Sequence, residues 1–306
     1  MPAALARKTD TCSVLRDANG QASAALYFRR GPGQPAGGLS DQSRHGVFGI
    51  DSFALRQYAG PLIFAPYAGD LAARLAALNP TRVLEIAAGT GIVTRALVRS
   101  LPASVDIVAT DLNQPMLDHA AAQLPSSRVT WQQADAHALP FPDGAFDAVI
   151  CQFGVMFFDK RRAYREVRRV LKPRGHFIFN VWDKLEYNDF TALVTAAAVD
   201  IFPDDPPLFF ARIPHGYHDK DAIVADVRDA GFANVTLETV TLRSVAPSCR
   251  DAAVGLCQGT PLRSEIEARD PSKLAEVTDA GAARIAARFG SGPVDGMIQA
   301  HVVIAS

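Results

Sequence analysis

Apolar and polar positions change their period along this chain. From Phe53 to Leu78, FALRQYAGPLIFAPYAGDLAARLAAL, apolar residues recur at helical spacing and are interrupted at Pro61 and Pro66, which predicts two or three short helices. From Thr81 onward short apolar runs alternate with amphipathic ones. Strands are expected over Val83–Ala87, Val105–Thr110, Val129–Gln133, Phe146–Gln152 and His176–Trp182. Helices are expected over Ile92–Leu101, Gln114–Gln123, with Pro115 suited to the first turn, and Asp159–Leu171, which Lys172-Pro173-Arg174-Gly175 should stop. Beyond Trp182 the alternation is more widely spaced. Helices are expected over Asp189–Ile201 and Asp219–Gly231, and strands over Asn234–Leu242 and Gly296–Ile304. Ala252–Gly290 reads as helical, with breaks at Gly259-Thr260-Pro261 and Pro271. Strands separated by helices imply βαβ units and a mainly parallel sheet covered on both faces, so the pattern predicts one α/β domain with helical decorations.

The first 45 residues differ. GPGQPAGGLSDQSRHG (31–46) is rich in Gly, Pro and polar residues and buries little, so 1–45 reads as a flexible leader with one short element at Ala22–Phe28. The 306 residues suffice for one large α/β domain, and 48% hydrophobic with 21% charged residues is ordinary for a soluble fold. A net charge of −1 supplies no global field for nucleic acid or an acidic membrane. The run Lys160-Arg161-Arg162 with Arg165, Arg168 and Arg169 reads as a solvated helix face. Cys12, Cys151, Cys249 and Cys257 form no CxxC, and no histidine stands at metal-ligand spacing, so a reduced compartment and no metal are expected. No apolar run approaches the roughly 18 residues that span a bilayer, and the N-terminus lacks a signal peptide's apolar core. A cytoplasmic protein is expected.

The stretch VLEIAAGTGIVTRAL (83–97) places a polar turn between a strand and a helix, where open α/β sheets bind ligands. A dinucleotide fingerprint needs glycine at relative positions one, three and six; here those are Ala87, Gly89 and Ile92. A phosphate loop needs Gly-Lys-Ser/Thr, and no lysine is present. Both phosphate readings weaken, and a nicotinamide-dependent oxidoreductase also lacks a Tyr-x-x-x-Lys pair. Asp111 ends the second strand, 20 positions after Gly91, where a carboxylate can accept from adjacent ribose hydroxyls. Asp111 could instead cap the next helix, but Asn113 can do so and leave it free. Asp135, in Ala134-Asp135-Ala136, follows the third strand.

An acidic residue, small residues and Gly-x-Gly resemble the first motif of the class I S-adenosylmethionine-dependent methyltransferases. PFPDGAFDAVICQFGVMFF and LKPRGHFIFNVW resemble the subgroup related to ubiquinone and menaquinone C-methylases. The resemblance implies a Rossmann-like, doubly wound seven-stranded sheet, mainly parallel with the last strand antiparallel, plus helical cap insertions. It implies a methyltransferase domain over 46–306, with N-terminal helices in 46–80, a cofactor core in 81–182 and caps or lids in 183–218 and 243–295. It implies S-adenosyl-L-methionine as cofactor, with Glu85 toward the methionine ammonium and Ala87, Gly89 and Gly91 forming the loop beneath the methionine end. The family often has glycine where Ala87 stands. By the same resemblance Asp111 is the ribose ligand, Leu112 and Met116 lie near the adenine, and Asp135 with the Ala136 N–H meets the ring's polar edge. Gln152 and Phe153 border the methyl donor.

The Asn/Asp-Pro-Pro-aromatic run of enzymes that methylate DNA amines is absent after the fourth strand, which argues against such substrates. The expected partner is a small, partly apolar or aromatic metabolite methylated at carbon or oxygen, not nucleic acid; a homo-oligomer is compatible. The alternative is a cofactor-binding protein that has lost methyl transfer and acts structurally or as a regulator. No catalytic residue is assigned; His215, Tyr217 and His218 are the candidates, against a reading as packing and loop residues. Phe157, Phe158, Trp182, Phe209 and Phe210 either line an acceptor pocket or belong to the core. Cys257-Gln258-Gly259-Thr260-Pro261 is a candidate lid, and Cys151 and Cys257 read as small buried hydrophobes.

Overall fold

The computed structural model describes residues 52–306. The expected leader, the short element at Ala22–Phe28 and Cys12 lie outside them. Seven strands form one sheet in the order β3-β2-β1-β4-β5-β7-β6. These are β1 (Arg82–Ile86), β2 (Asp106–Asp111), β3 (Val129–Gln133), β4 (Phe146–Gln152), β5 (Leu171–Trp182), β6 (Val235–Ala246) and β7 (Val294–Ala305). Strands β1 to β5 pair in parallel, and β7 runs antiparallel between β5 and β6. The strand order reverses between β1 and β4, which opens a crevice beyond their carboxyl ends.

The helices are α1 (Ser52–Ala54), α2 (Ala65–Ala76), α3 (Ile92–Ser100), α4 (Gln114–Gln123), α5 (Lys160–Val170), α6 (Asp189–Ile201), α7 (Phe209–Arg212), α8 (Lys220–Asp229), α9 (Cys249–Gln258), α10 (Leu262–Arg269) and α11 (Leu274–Phe289). Both sheet faces are covered, which is why β1 and β4 read as continuous apolar runs. Leu71 and Leu75 of α2 and Val93 and Leu97 of α3 cover one face, over Val83, Ile107, Ile150 and Ile178. Tyr164 and Val167 of α5 cover the other, with the Tyr164 ring 5.6 Å from Phe177 and 5.5 Å from Phe179.

Three expectations are corrected. Pro61 does not interrupt the N-terminal helices: Leu55–Phe64 is a π-helical stretch that joins α1 to α2, and Pro61 lies inside it. Helix α5 ends at Val170, and Leu171 already pairs with Phe146; the register then jumps to Ala148↔His176, so Lys172-Pro173-Arg174-Gly175 form an irregularity inside β5 rather than a stop before it. Strand β6 continues four residues past Leu242, because Arg243 to Ala246 still pair with Met297 to Val294 of the equally long β7. The break at Gly259–Pro261 separates α9 from α10, as expected. Cys257 and Thr260 are buried, and a Cβ on Gly259 would lie 2.8 Å from the Leu55 nitrogen.

Candidate functional site

The turn after β1 winds through alternating left-handed residues, with φ of 54° at Ala87, 55° at Gly89 and 75° at Gly91. For Ala87 this conformation costs roughly 1 kcal/mol, because its Cβ crowds the following carbonyl. At Gly91 the requirement is double: a Cβ would also sit 3.0 Å from both the Ala120 methyl and the Trp131 ring. At Gly89 a Cβ would meet nothing within 4 Å, so that side of the loop is open. Two bonds sew the loop to the end of β2: the Ala88 N–H donates to the Thr110 carbonyl at 2.9 Å, and the Gly89 N–H to Asp111 Oδ2 at 2.8 Å.

Glu85 is 2% exposed, and the Thr94 hydroxyl donates to its Oε2 at 2.6 Å. Burial pushes its carboxyl up to about 8, partly offset by that hydrogen bond. Thr94 was not anticipated; its only sequence signal is a hydroxyl at an apolar position of α3. Asn113 caps α4 by accepting from the Met116 N–H at 3.3 Å. Asp111 is nonetheless not free, because Oδ2 holds Gly89 and Oδ1 accepts from the Asn113 N–H at 2.8 Å. Each carboxylate oxygen takes a second donor, so both retain a site for a ligand. Burial raises the Asp111 carboxyl, and these amides oppose the shift. Among the described residues neither Glu85 nor Asp111 has an ion-pair partner in Lys or Arg.

Leu112 stands 66% exposed beside Asp111, and Met116 is half-buried. Asp135 is exposed; its Oδ1 accepts from the His137 N–H at 2.9 Å and meets the His137 Nδ1 at 2.7 Å. Ala136 packs against the core beside it. At the end of β4, Gln152 donates to the Phe64 carbonyl at 3.0 Å, and its Oε1 is buried with no donor among the described residues. Phe153 takes φ 49° and stacks on Trp182 at 3.7 Å, while its N–H donates to Asn180 Oδ1 at 3.0 Å. Its ring is therefore core. Trp182, Phe209 and Phe210 are buried as well; Phe157, 45% exposed, and half-buried Phe158 are the aromatics left near solvent.

The three candidate bases separate. His215 is buried, its Nδ1 lies 2.6 Å from the Asp183 carbonyl, and burial lowers it to about 4. Tyr217 donates to Asp226 at 2.8 Å, and burial raises its hydroxyl far out of the neutral range. His218 Nδ1 lies 2.9 Å from the His215 carbonyl, an acceptor only, so Nδ1 carries a proton. His218 lines a polar cavity of about 430 Å³ with Asp183, Lys220, Gln299 and His301. Gln299 donates to Asp183 Oδ2 at 2.6 Å, and His301 Nε2 lies 3.2 Å from Oδ1. Burial would raise Asp183, but the Gln299 and Lys184 N–H groups hold it below its ordinary value.

Residues 84–179 match a family model described as a methyltransferase domain. A ubiquinone/menaquinone biosynthesis C-methyltransferase of Cronobacter sakazakii is 31% identical over 174 residues, covering 52% of this chain and 69% of the relative. A crystal structure of a candidate methyltransferase from Bacillus halodurans superposes with TM-score 0.50 at 21% identity, covering 78% of this chain and 97% of that one. That of the 4+2 cyclase SpnF gives 0.51 at 22%, covering 78% and 80%. At these identities the two structures establish the fold. No helix among the described residues is long and apolar enough to cross a membrane.

Proposed function

This chain belongs to the class I S-adenosylmethionine-dependent methyltransferases, and we propose that its acceptor is a small, partly apolar or aromatic metabolite methylated at carbon or oxygen. The observation that carries the cofactor reading is the pairing of buried Glu85 with half-buried Asp111, at adjacent strand ends beside the open Gly89 loop. A cationic nucleoside suits that cradle better than a pyrophosphate, which the Asp111 carboxylate would repel.

S-adenosylmethionine supplies an electrophilic methyl group on a sulfonium. The protein's part is alignment and exclusion of water. Glu85, held by Thr94, faces the methionine ammonium, and Asp111 receives the ribose hydroxyls. Leu112 and Met116 flank the adenine, whose amino group meets Asp135 and whose ring nitrogen meets the Ala136 N–H. The buried Oε1 of Gln152 and the backbone of Phe153 border the donor end. For an acceptor that arrives protonated, His218 is the base: it lines the polar cavity, and with Nδ1 engaged Nε2 is the nitrogen left to take the proton. The C-methyltransferase relatives favour a quinone-like ring carbon as the acceptor.

Titration calorimetry with S-adenosylhomocysteine tests the cofactor part. Wild type should bind, and Asp111→Ala should bind about 100-fold more weakly, because ribose contacts and the Gly89 tether are lost together. Equal binding by the two proteins would remove Asp111 from the site.

A further inference from the structure

His137 lies outside every motif that pointed to the site, yet it touches the loops on either side of it. Its N–H and its Nδ1 both reach Asp135 Oδ1, at 2.9 and 2.7 Å. The first contact is an Asx-turn, which places the imidazole of the residue two positions on beside the same carboxylate. Its other nitrogen, Nε2, lies 3.0 Å from the backbone nitrogen of Asp159, and that N–H can only donate. Nε2 is therefore the acceptor and Nδ1–H the donor: the ring is neutral, in one tautomer, with both nitrogens engaged. Phe158 closes against the ring at 5.7 Å, edge to face. Asp159 is the N-cap of α5, its Oδ1 accepting from the Arg162 N–H at 3.2 Å.

We propose that His137 is a positioning residue for the cofactor: it spends Asp135 Oδ1 on two donors, turns Oδ2 toward the adenine amino group, and braces that carboxylate against the start of α5. This rests on the reading of Asp135 as the adenine contact. No hydrogen bond to Oδ2 exists among the described residues, and the side chain is half exposed, so Oδ2 is the oxygen available to a ligand. Without the imidazole the carboxylate can rotate about χ2, a broad torsion, and no longer presents one oxygen in one direction. The strut also joins the loop after β3 to the loop after β4, whose first residues border the methyl donor. Adenine recognition and donor placement thus share one side chain.

The test is a binding cycle between side chain and ligand amino group, using S-adenosylhomocysteine and its deaminated counterpart S-inosylhomocysteine, which has an oxo group in place of the amine. Calorimetry on the full chain compares wild type, Asp135→Ala, His137→Ala and His137→Asn, each checked for an unchanged circular dichroism spectrum. His137→Ala should weaken S-adenosylhomocysteine about tenfold while changing the inosine ligand less than twofold. His137→Asn, whose amide keeps a donor near Nδ1, should recover most of that loss. A generally loosened fold would weaken both ligands equally, and that result, or no loss with either ligand, overturns the proposal. Asp135→Ala separates the two layers. If it discriminates between the ligands and His137→Ala does not, only the role of His137 falls. If Asp135→Ala fails to discriminate, the adenine contact falls and His137 with it.

Discussion

At the β3-β2-β1 end of the sheet, each polar group is held by a partner close in sequence. Thr94 is nine residues from Glu85, the Gly89 N–H is 22 from Asp111, and His137 is two from Asp135. At the β5-β7-β6 end the partners come from far along the chain. Gln299 reaches Asp183 across 116 residues, His301 reaches the His218 carbonyl across 83, and the Tyr67 hydroxyl is shared between the Val240 and Ile298 carbonyls, 173 and 231 away. The first end is built of strand-to-helix turns whose chemistry is local. The second is an assembly whose chemistry exists only once β7 has been inserted beside β5. One end can therefore serve a common cofactor while the other is free to suit a particular acceptor.

The comparison is broken most directly by exchanging what each end controls. His218→Ala should lower turnover by about 100-fold or more at saturating cofactor, the usual scale for a lost general base, with S-adenosylhomocysteine affinity unchanged. Asp111→Ala should do the reverse, raising the cofactor KM about 100-fold while sparing turnover at saturation. Radiometric methyl transfer to a quinone-type acceptor panel, paired with calorimetry, reads both. If His218→Ala loses cofactor affinity as well, the two ends are not separable.

A pH series sharpens the local end. The folded carboxyl of Glu85 sits at about 8, above the ordinary 4.5 of an unfolded chain, so the unfolded state gives up its proton first. The stability contribution is full below about pH 4.5 and is lost as pH rises toward 8, on the order of a few kcal/mol across that window. Glu85→Gln stays neutral throughout, so its urea midpoint should fall less than that of wild type between pH 5 and 8. Parallel pH profiles would show that Glu85 is solvated in the ligand-free chain.

Smaller effects follow. Gly91→Ala forces a Cβ into a left-handed turn, against contacts at 3.0 Å, and should cost about 2 kcal/mol of stability as well as cofactor affinity. Tyr67→Phe removes one buried donor shared by β6 and β7 and should cost about 1 kcal/mol, read as a small drop in Tm, with cofactor affinity preserved. A cofactor defect in Tyr67→Phe would mean that the long-range end shapes the local one.

The same contrast explains what could be read from residues alone. Helices α4 and α6 and strands β3 and β4 fall where the apolar period places them, because propensity and periodicity agree there. Asp111 and Asp135 stand where the strand pattern puts them, at the end of β2 and just after β3, because the end of a parallel strand is a recognisable place. Pro61 misled because a π-helical stretch is a tertiary outcome, in which Ser244 donates to the Leu62 carbonyl from 182 residues away. The long β6 misled because Arg243 to Ala246 are held by β7 rather than by their own alternation. His215, Tyr217 and His218 looked equivalent in sequence; their partners Asp183, Asp226 and the His215 carbonyl are what separate them. His137 gave no signal beyond an Asp-x-His spacing, which is common and by itself uninformative.

On the proposed reading one nucleoside is clasped at three strand ends, with its methionine side at the β1 turn. A crystal structure of the chain with S-adenosylhomocysteine tests it in one step. The ribose hydroxyls should lie on Asp111, the adenine amine on Asp135 Oδ2, and the amino-acid end over Gly89 toward Glu85. A ligand whose ribose lies away from Asp111, or whose adenine turns from Asp135, would contradict it.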